Sequence, residues 1–161
     1  MKYIFLLSFI LNVNLTFANN SVSCGFEEVY EDGSTQFGHL YFNDGLLRYE
    51  YVDKQLFTII YNNDYFVIRN DNQNIVNKLE NNDVLNELKL IIKNYPNIKN
   101  NYNNGDIKIK IQNSLEFDFL KRISINSNET NLSIYFINCT FENIPKNFFQ
   151  PFALTKIKKW S

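Results

Sequence analysis

Two cysteines and one histidine are the side chains of this chain with the widest chemical repertoire. Cys24 and Cys139 form an even pair, and in an exported protein such a pair predicts a disulfide. The bridge would close a loop of more than a hundred residues. By lowering the entropy of the unfolded chain, it would stabilise the folded state by about 4–5 kcal/mol. The alternative is that Cys24 is lipidated, because residues 21–24 loosely resemble a lipobox. A metal site is disfavoured, since tetrahedral zinc needs more ligands at closer spacing.

The histidine and the acidic residues do not form a recognisable catalytic set. Any Ser-His-Asp arrangement would need His39, which lies mid-strand beside Phe37 and Tyr41, where a packed or edge histidine is the simpler interpretation. Glu27 and Glu28 are adjacent on a predicted strand, so their side chains point to opposite faces. The sequence contains no Gly-rich phosphate loop, HExxH or Gly-x-Ser-x-Gly. We therefore expect a protein that is not an enzyme and has no cofactor.

The start of the chain predicts export. Lys2 precedes an apolar run over residues 3–13, and Thr16-Phe17-Ala18 places a small residue before a plausible cleavage point. Residues 1–18 are interpreted as a signal peptide, too short for a transmembrane helix, and residues 19–161 as a single domain. The net charge of −1 comes from interspersed acids and bases, which disfavours a nucleic-acid-binding surface.

Regularly spaced turn signals predict an antiparallel meander. Asp44-Gly45 is the strongest of them, because a two-residue hairpin turn with two positive φ angles favours this pair. Runs of aromatic and β-branched residues lie between the turns. The predicted strands cover residues 24–31, 36–43, 46–53, 55–61, 64–69, 73–78, 106–113, 117–126 and 131–140.

One segment has a helical period instead. Apolar residues at 84, 85, 88, 91 and 92 follow i, i+3, i+4, i+7 spacing and predict an amphipathic helix of about three turns over residues 82–93. Pro96 ends it, since the residue before a proline is disfavoured in helical geometry. Residues 96–105 are expected to form a polar loop. Residues 141–161 are expected to be irregular or an edge strand.

The strands over residues 37–61 are apolar on both faces, which is unusual for an antiparallel sheet with one solvated side. Twelve helical residues span about 18 Å and could not cover such a sheet alone. We therefore expect a mainly β (α+β) fold: a curved antiparallel sheet, or incomplete β-barrel, with the short helix covering its open side. A fully packed core without a cavity is the alternative, because aromatic stripes usually form core.

The residues from Gly38 to Ile68 resemble the periplasmic lipoprotein carrier family, or LolA-like family. The matching elements are the Gly-x-Leu of residues 38–40, the Arg-aromatic-x-aromatic strand of Arg48, Tyr49 and Tyr51, and the strand that follows Asn63-Asp64. A helix after the sixth strand and a closing set of strands match in order. The resemblance covers roughly residues 36–140.

The resemblance implies a half-barrel whose apolar cavity holds acyl chains. It leads us to expect a monomeric periplasmic carrier for a lipoprotein or another apolar ligand, with possible envelope protein partners. The alternative is a non-catalytic interaction or structural module of the cell envelope with a filled core. The residues expected to line the cavity are Leu40, Phe42, Leu47, Tyr49, Phe57, Ile59, Phe66, Leu85, Leu88 and Ile92.

Overall fold

The structure is a computed structural model that describes residues 21–53, 58–62, 65–70, 73–75 and 83–150. The predicted signal peptide lies outside the described residues. The predicted class is confirmed: these ranges form one antiparallel sheet, one α-helix and a short 3-10 helix. The elements are β1 (Ser21–Tyr30), β2 (Thr35–Asn43), β3 (Leu46–Tyr51), β4 (Thr58–Asn62), β5 (Tyr65–Asn70), β6 (Gln73–Ile75), α1 (Asp83–Asn94), β7 (Asn101–Asn104), β8 (Ile107–Asn113), β9 (Leu120–Asn126), β10 (Asn131–Phe141) and η1 (Lys146–Phe149).

The sheet consists of two meanders joined at their ends. Its strand order is β6-β5-β4-β3-β2-β1-β10-β9-β8-β7, so the first and last strands pair at the centre and β6 and β7 form open edges. The chain passes from one edge to the other through α1. Aromatic rings of the two halves meet across the concave side, where Phe42 and Phe119 lie 6.4 Å apart. The sheet is therefore curved but not closed into a barrel.

The hairpin between β2 and β3 has the predicted turn. Asp44 and Gly45 have φ angles of 48° and 77°, and Asn43 faces Leu46 across the two-residue loop. Two positive φ angles match the right-handed twist of the flanking strands and set the register of the pair. The turn therefore determines which side chains of β2 and β3 share a face.

The helix forms where the apolar period predicts it. α1 runs from Asp83 to Asn94, with Asp83 in the first turn and Lys93 in the last, where each charge complements the helix dipole. Ile91 and Ile92 are buried in the core, whereas Leu90 is 48% exposed. Within the described residues, no helix combines the length and apolar character needed to cross a membrane.

The predicted disulfide is present. Cys24 on β1 and Cys139 on β10 are bonded to each other, with their Cα atoms 4.1 Å apart and a sequence separation of 115. The two strands are neighbours in the sheet, and their register shifts near Cys24. The bridge therefore joins the two halves of the sheet at its centre.

Two segments of the second half of the sheet differ clearly from the prediction. Residues 101–104 are not loop but the edge strand β7, where Asn101 faces Lys110 and Asn104 faces Ile107. Their composition has little strand preference, and pairing with β8 imposes the conformation. β9 begins at Leu120 rather than at residue 117, because a turn intervenes in which Ser114 accepts hydrogen bonds from the backbone N–H groups of residues 116 and 117.

The chain's own C-terminal part covers the convex face of β2–β4. Residues 144–149, here called the strap, include η1 and bury Ile144 and Phe149 against Tyr41. Each of three successive strands donates one side-chain hydrogen bond to a strap carbonyl. The pairs are Asn43 to Ile144 (2.6 Å), Arg48 to Phe148 (2.9 Å) and Asn62 to Phe149 (3.3 Å). The strap explains why both faces of these strands are apolar.

Candidate functional site

An apolar cavity of about 310 Å³ lies between α1 and the concave face of the sheet. Strands of both halves contribute to its wall. The lining residues are Glu28, Leu40, Phe42, Leu47, Tyr49, Tyr51, Ile59, Val84, Leu88, Ile91, Ile92, Tyr95, Phe119, Leu120, Ile123, Ile125, Glu129, Thr130, Leu132, Ile134 and Phe136. A cavity of this size is at the lower end of the range for small-molecule sites, which are mostly apolar with a few polar groups.

Strand alternation places these side chains on one face. On β9 the buried Ile123 and Ile125 alternate with the partly exposed Arg122 and Ser124. On β10 Ile134 and Phe136 are buried in the same way. Because successive residues of a strand point to opposite faces, β2, β3, β9 and β10 each contribute two or three apolar groups to the wall, and β4 contributes Ile59. The helix supplies the opposite wall through residues one turn apart, Leu88 and Ile92.

A cluster of aromatic rings closes one end of the cavity. Tyr95, which follows α1, contacts Phe42 at 5.2 Å and Phe119 at 5.4 Å between ring centroids, and Phe119 contacts Phe136 at 5.7 Å. The Tyr95 hydroxyl donates to the carbonyl of Asp118 at 3.0 Å. Burial, with a smaller contribution from Asp118, raises the pKa of Tyr95 to about 12. These contacts link the C-terminal end of α1 to the loop before β9.

A buried carboxylate with three tyrosines forms the other end. Glu28 is 4% exposed and accepts hydrogen bonds from the hydroxyls of Tyr30 (2.7 Å), Tyr49 (2.8 Å) and Tyr51 (3.1 Å). Burial is the main cause that raises the pKa of Tyr30 to about 12, and the Glu28 charge and hydrogen bond raise it further. Burial and the same carboxylate raise the pKa values of Tyr49 and Tyr51. These three phenols therefore stay protonated and donate to Glu28.

An aromatic trio supports this polar end. The rings of Phe26 and Tyr49 stack at 3.8 Å with an interplanar angle of 13°, and Tyr51 meets both edge-on at 5.5 Å. Gly38 lies opposite Phe26 on β2, and a Cβ atom there would collide with the Phe26 ring and with the carbonyl of Glu50. Glycine at position 38 thus allows the Phe26 ring to lie across β2.

The structure brings together much of the predicted wall. Leu40, Phe42, Leu47, Tyr49, Ile59, Leu88 and Ile92 line the cavity, and Tyr51 lies beside Tyr49 on it. Phe57 and the side chains of Phe66 and Leu85 lie outside the described residues. That the wall binds an apolar ligand stays a prediction.

Arg48 lies on the opposite side of the sheet from the cavity. It is 1% exposed and paired with Glu50, and its guanidinium lies 4.7 Å from the centre of the Phe148 ring. Arg48 and Tyr51, both part of the strand that carries the family resemblance, therefore face different environments: Arg48 faces the strap and Tyr51 faces the cavity.

Sequence reasoning missed the wall supplied by the second meander and by Glu28. The alternation of isoleucines at 107, 109 and 111, and at 123 and 125, indicates an inward face. On β9 this period could have identified Ile123 and Ile125 as wall, whereas the three isoleucines of β8 are buried core residues outside the cavity lining. The alternation of Val22, Cys24 and Phe26 places Glu28 on the apolar face of β1, but no local pattern shows that Tyr49 and Tyr51 reach it from β3.

Comparison with known proteins assigns no family to this chain. No protein-family model matches the chain, and no curated protein matches it.

Proposed function

We propose that this protein is a periplasmic carrier that binds the acyl chains of a lipoprotein, or another apolar ligand, in the cavity under α1. The observation that carries the proposal is an apolar cavity of about 310 Å³ that opens between a helix and the concave face of an unclosed sheet. At about 30 Å³ per water molecule, this volume corresponds to about ten waters. A methylene group has a similar volume, so a single chain of moderate length fits.

The convex face supports this proposal. The strap covers that side of β2–β4, and the paired side chains of Arg48 and Glu50 are buried beneath it. The disulfide joins the two central strands and is compatible with an oxidising compartment. The strap, the buried ion pair and the disulfide therefore stabilise the sheet through contacts that do not involve α1.

Ligand binding is tested with a matched pair of helix variants. Leu88→Trp places an indole in the cavity, whereas Leu90→Trp places the same group on the exposed side of α1. We expect Leu88→Trp to weaken binding of the apolar dye N-phenylnaphthylamine at least tenfold and Leu90→Trp to leave it unchanged. Circular dichroism checks that both variants fold.

Native mass spectrometry of protein exported to a periplasm, without detergent, gives a second readout. Adducts of acyl-chain mass that Leu88→Trp removes would support the carrier. A bare chain that also fails to bind the dye would overturn it and would favour the envelope interaction module with a filled core.

A further inference from the structure

We propose that the cavity selects amphiphiles with a cationic ammonium head group, which the Glu28 end of the cavity would hold. The proposal rests on the proposed function, because it assigns the chemical class of ligand for the same cavity. The Glu28 end selects the head group of the ligand, whereas the apolar wall binds the hydrocarbon chain of the ligand.

The hydrogen-bond directions at Glu28 are the first observation. The hydroxyls of Tyr30, Tyr49 and Tyr51 all donate to the carboxylate at 2.7–3.1 Å, and the Tyr51 hydroxyl also donates to that of Tyr30, so each hydrogen is used within the cluster. A tyrosine hydroxyl that donates its hydrogen keeps lone pairs that can only accept. The cluster therefore offers acceptors and one negative charge to a ligand, and its hydroxyls have no hydrogen left for an anionic head group.

The charge of the cavity wall is the second observation. Its described lining includes two carboxylates, the buried Glu28 and the exposed Glu129, and no lysine, arginine or histidine. An incoming carboxylate or phosphate would meet like charge in a surrounding of low dielectric, which costs far more than in water. An ammonium group would gain charge-assisted hydrogen bonds to the Glu28 end.

The aromatic trio is the third observation. Tyr51 is edge-on to the stacked rings of Phe26 and Tyr49, and both tyrosines contribute to the cavity wall. Cations are attracted to the faces of aromatic rings within about 6 Å, and more strongly where water is excluded. A carboxylate next to the Tyr49 and Tyr51 rings of the cavity wall therefore suits a small organic cation better than a neutral head group.

The test compares three ligands that share one chain. Dodecylammonium, dodecanol and dodecanoate, each below its micelle concentration, compete with N-phenylnaphthylamine for the wild-type protein. We expect dodecylammonium to bind at least about tenfold more tightly than dodecanoate, with dodecanol between them. Leu88→Trp should weaken all three, which shows that they occupy the cavity.

Two glutamine variants form a matched pair. Glu28→Gln removes the charge at the cavity, whereas Glu27→Gln removes the neighbouring charge from the opposite face of β1. We expect Glu28→Gln to abolish the preference for dodecylammonium over dodecanol, and Glu27→Gln to preserve it. If Glu28→Gln does not fold, Tyr51→Phe serves in its place and should reduce the preference, because it removes one acceptor oxygen.

The outcomes separate the two proposals. Equal binding of the three ligands, or tightest binding of dodecanoate, would overturn the ammonium assignment and leave the carrier intact. Failure of all three ligands to displace a dye whose binding Leu88→Trp weakens would overturn the ammonium assignment alone, whereas a bare chain that does not bind the dye would overturn both. A preference that Glu28→Gln does not abolish, or that Tyr51→Phe leaves undiminished, would also overturn the role of this cluster.

Discussion

Arg48 is the most completely buried charged side chain among the described residues, and its surroundings show why it is tolerated. The guanidinium pairs with Glu50, donates to the carbonyl of Phe148 at 2.9 Å and lies over the Phe148 ring. A buried charge is stable only when it is paired and hydrogen-bonded, and removal of one partner leaves the other without compensation.

Arg48→Met should therefore destabilise the protein strongly. It leaves the Glu50 carboxylate buried without its partner, and such a change costs about 3–5 kcal/mol. The expected result is a large fall in the urea midpoint of unfolding. The matched control is Lys146→Met, because the pair of Lys146 and Asp44 is exposed, with 3.6 Å between the charged atoms.

The control should change stability by less than about 1 kcal/mol. A double variant, Arg48→Met with Glu50→Gln, should recover part of the loss, since the unpaired charge is then gone. Equal effects of the Arg48 and Lys146 variants would contradict the structural role assigned to the buried pair.

At the scale of elements, the strap is the part of the fold that covers the convex face. Its carbonyls accept hydrogen bonds from β2, β3 and β4, and its Phe149 side chain is fully buried. Tyr41 beneath it has a pKa raised to about 12, first by burial and then by the charges of Glu50 and Glu142. The strap and the cavity lie on opposite faces of the same strands.

Phe149→Ala should lower stability without weakening ligand binding. Loss of a fully buried phenylalanine costs about 3–5 kcal/mol. Phe141→Ala is the control, because that side chain is 48% exposed, and it should cost much less. Urea unfolding measures stability and N-phenylnaphthylamine titration measures binding. A loss of dye affinity in folded Phe149→Ala would contradict the separation of the two faces.

At the scale of the whole molecule, the buried tyrosines predict sensitivity to alkali. Tyr30, Tyr41 and Tyr95 have pKa values near 12, against 10.0 in an unfolded chain. Between pH 10 and 12 the unfolded state therefore binds fewer protons than the folded state. Under that condition the free energy of unfolding falls as pH rises. The stabilisation is fully present below pH 10 and is lost as pH rises toward 12.

We expect the free energy of unfolding to fall over that pH window, and tyrosinate absorbance to appear together with unfolding. Tyr95→Phe should show a smaller fall than wild type, because one raised pKa is removed. Unchanged stability up to pH 12, or full ionisation of tyrosines in a folded protein, would contradict the burial of these hydroxyls.

Much of the architecture was predictable because its causes are local. The positive φ angles favoured at Asp44-Gly45 set a hairpin register, and the spacing of Leu88, Ile91 and Ile92 specifies one helical face. β7 was not predictable, because its polar residues form a strand only through pairing with β8. The part of the cavity wall that β2–β4 contribute was predicted, because aromatic residues indicate it. The part that isoleucines of β9 and β10 contribute was missed.

The sequence by itself determined the strand and turn periods, the single amphipathic helix, the cysteine pair and the two-sided apolar character of β2–β4. Only the tertiary structure decided how each face is used. It placed the strap over Arg48 on one face and left a cavity on the other, and it brought three tyrosines to Glu28 rather than to Glu27. The reason is that burial and pairing depend on contacts between residues distant in the chain, such as Arg48 and Phe148, which no local period encodes.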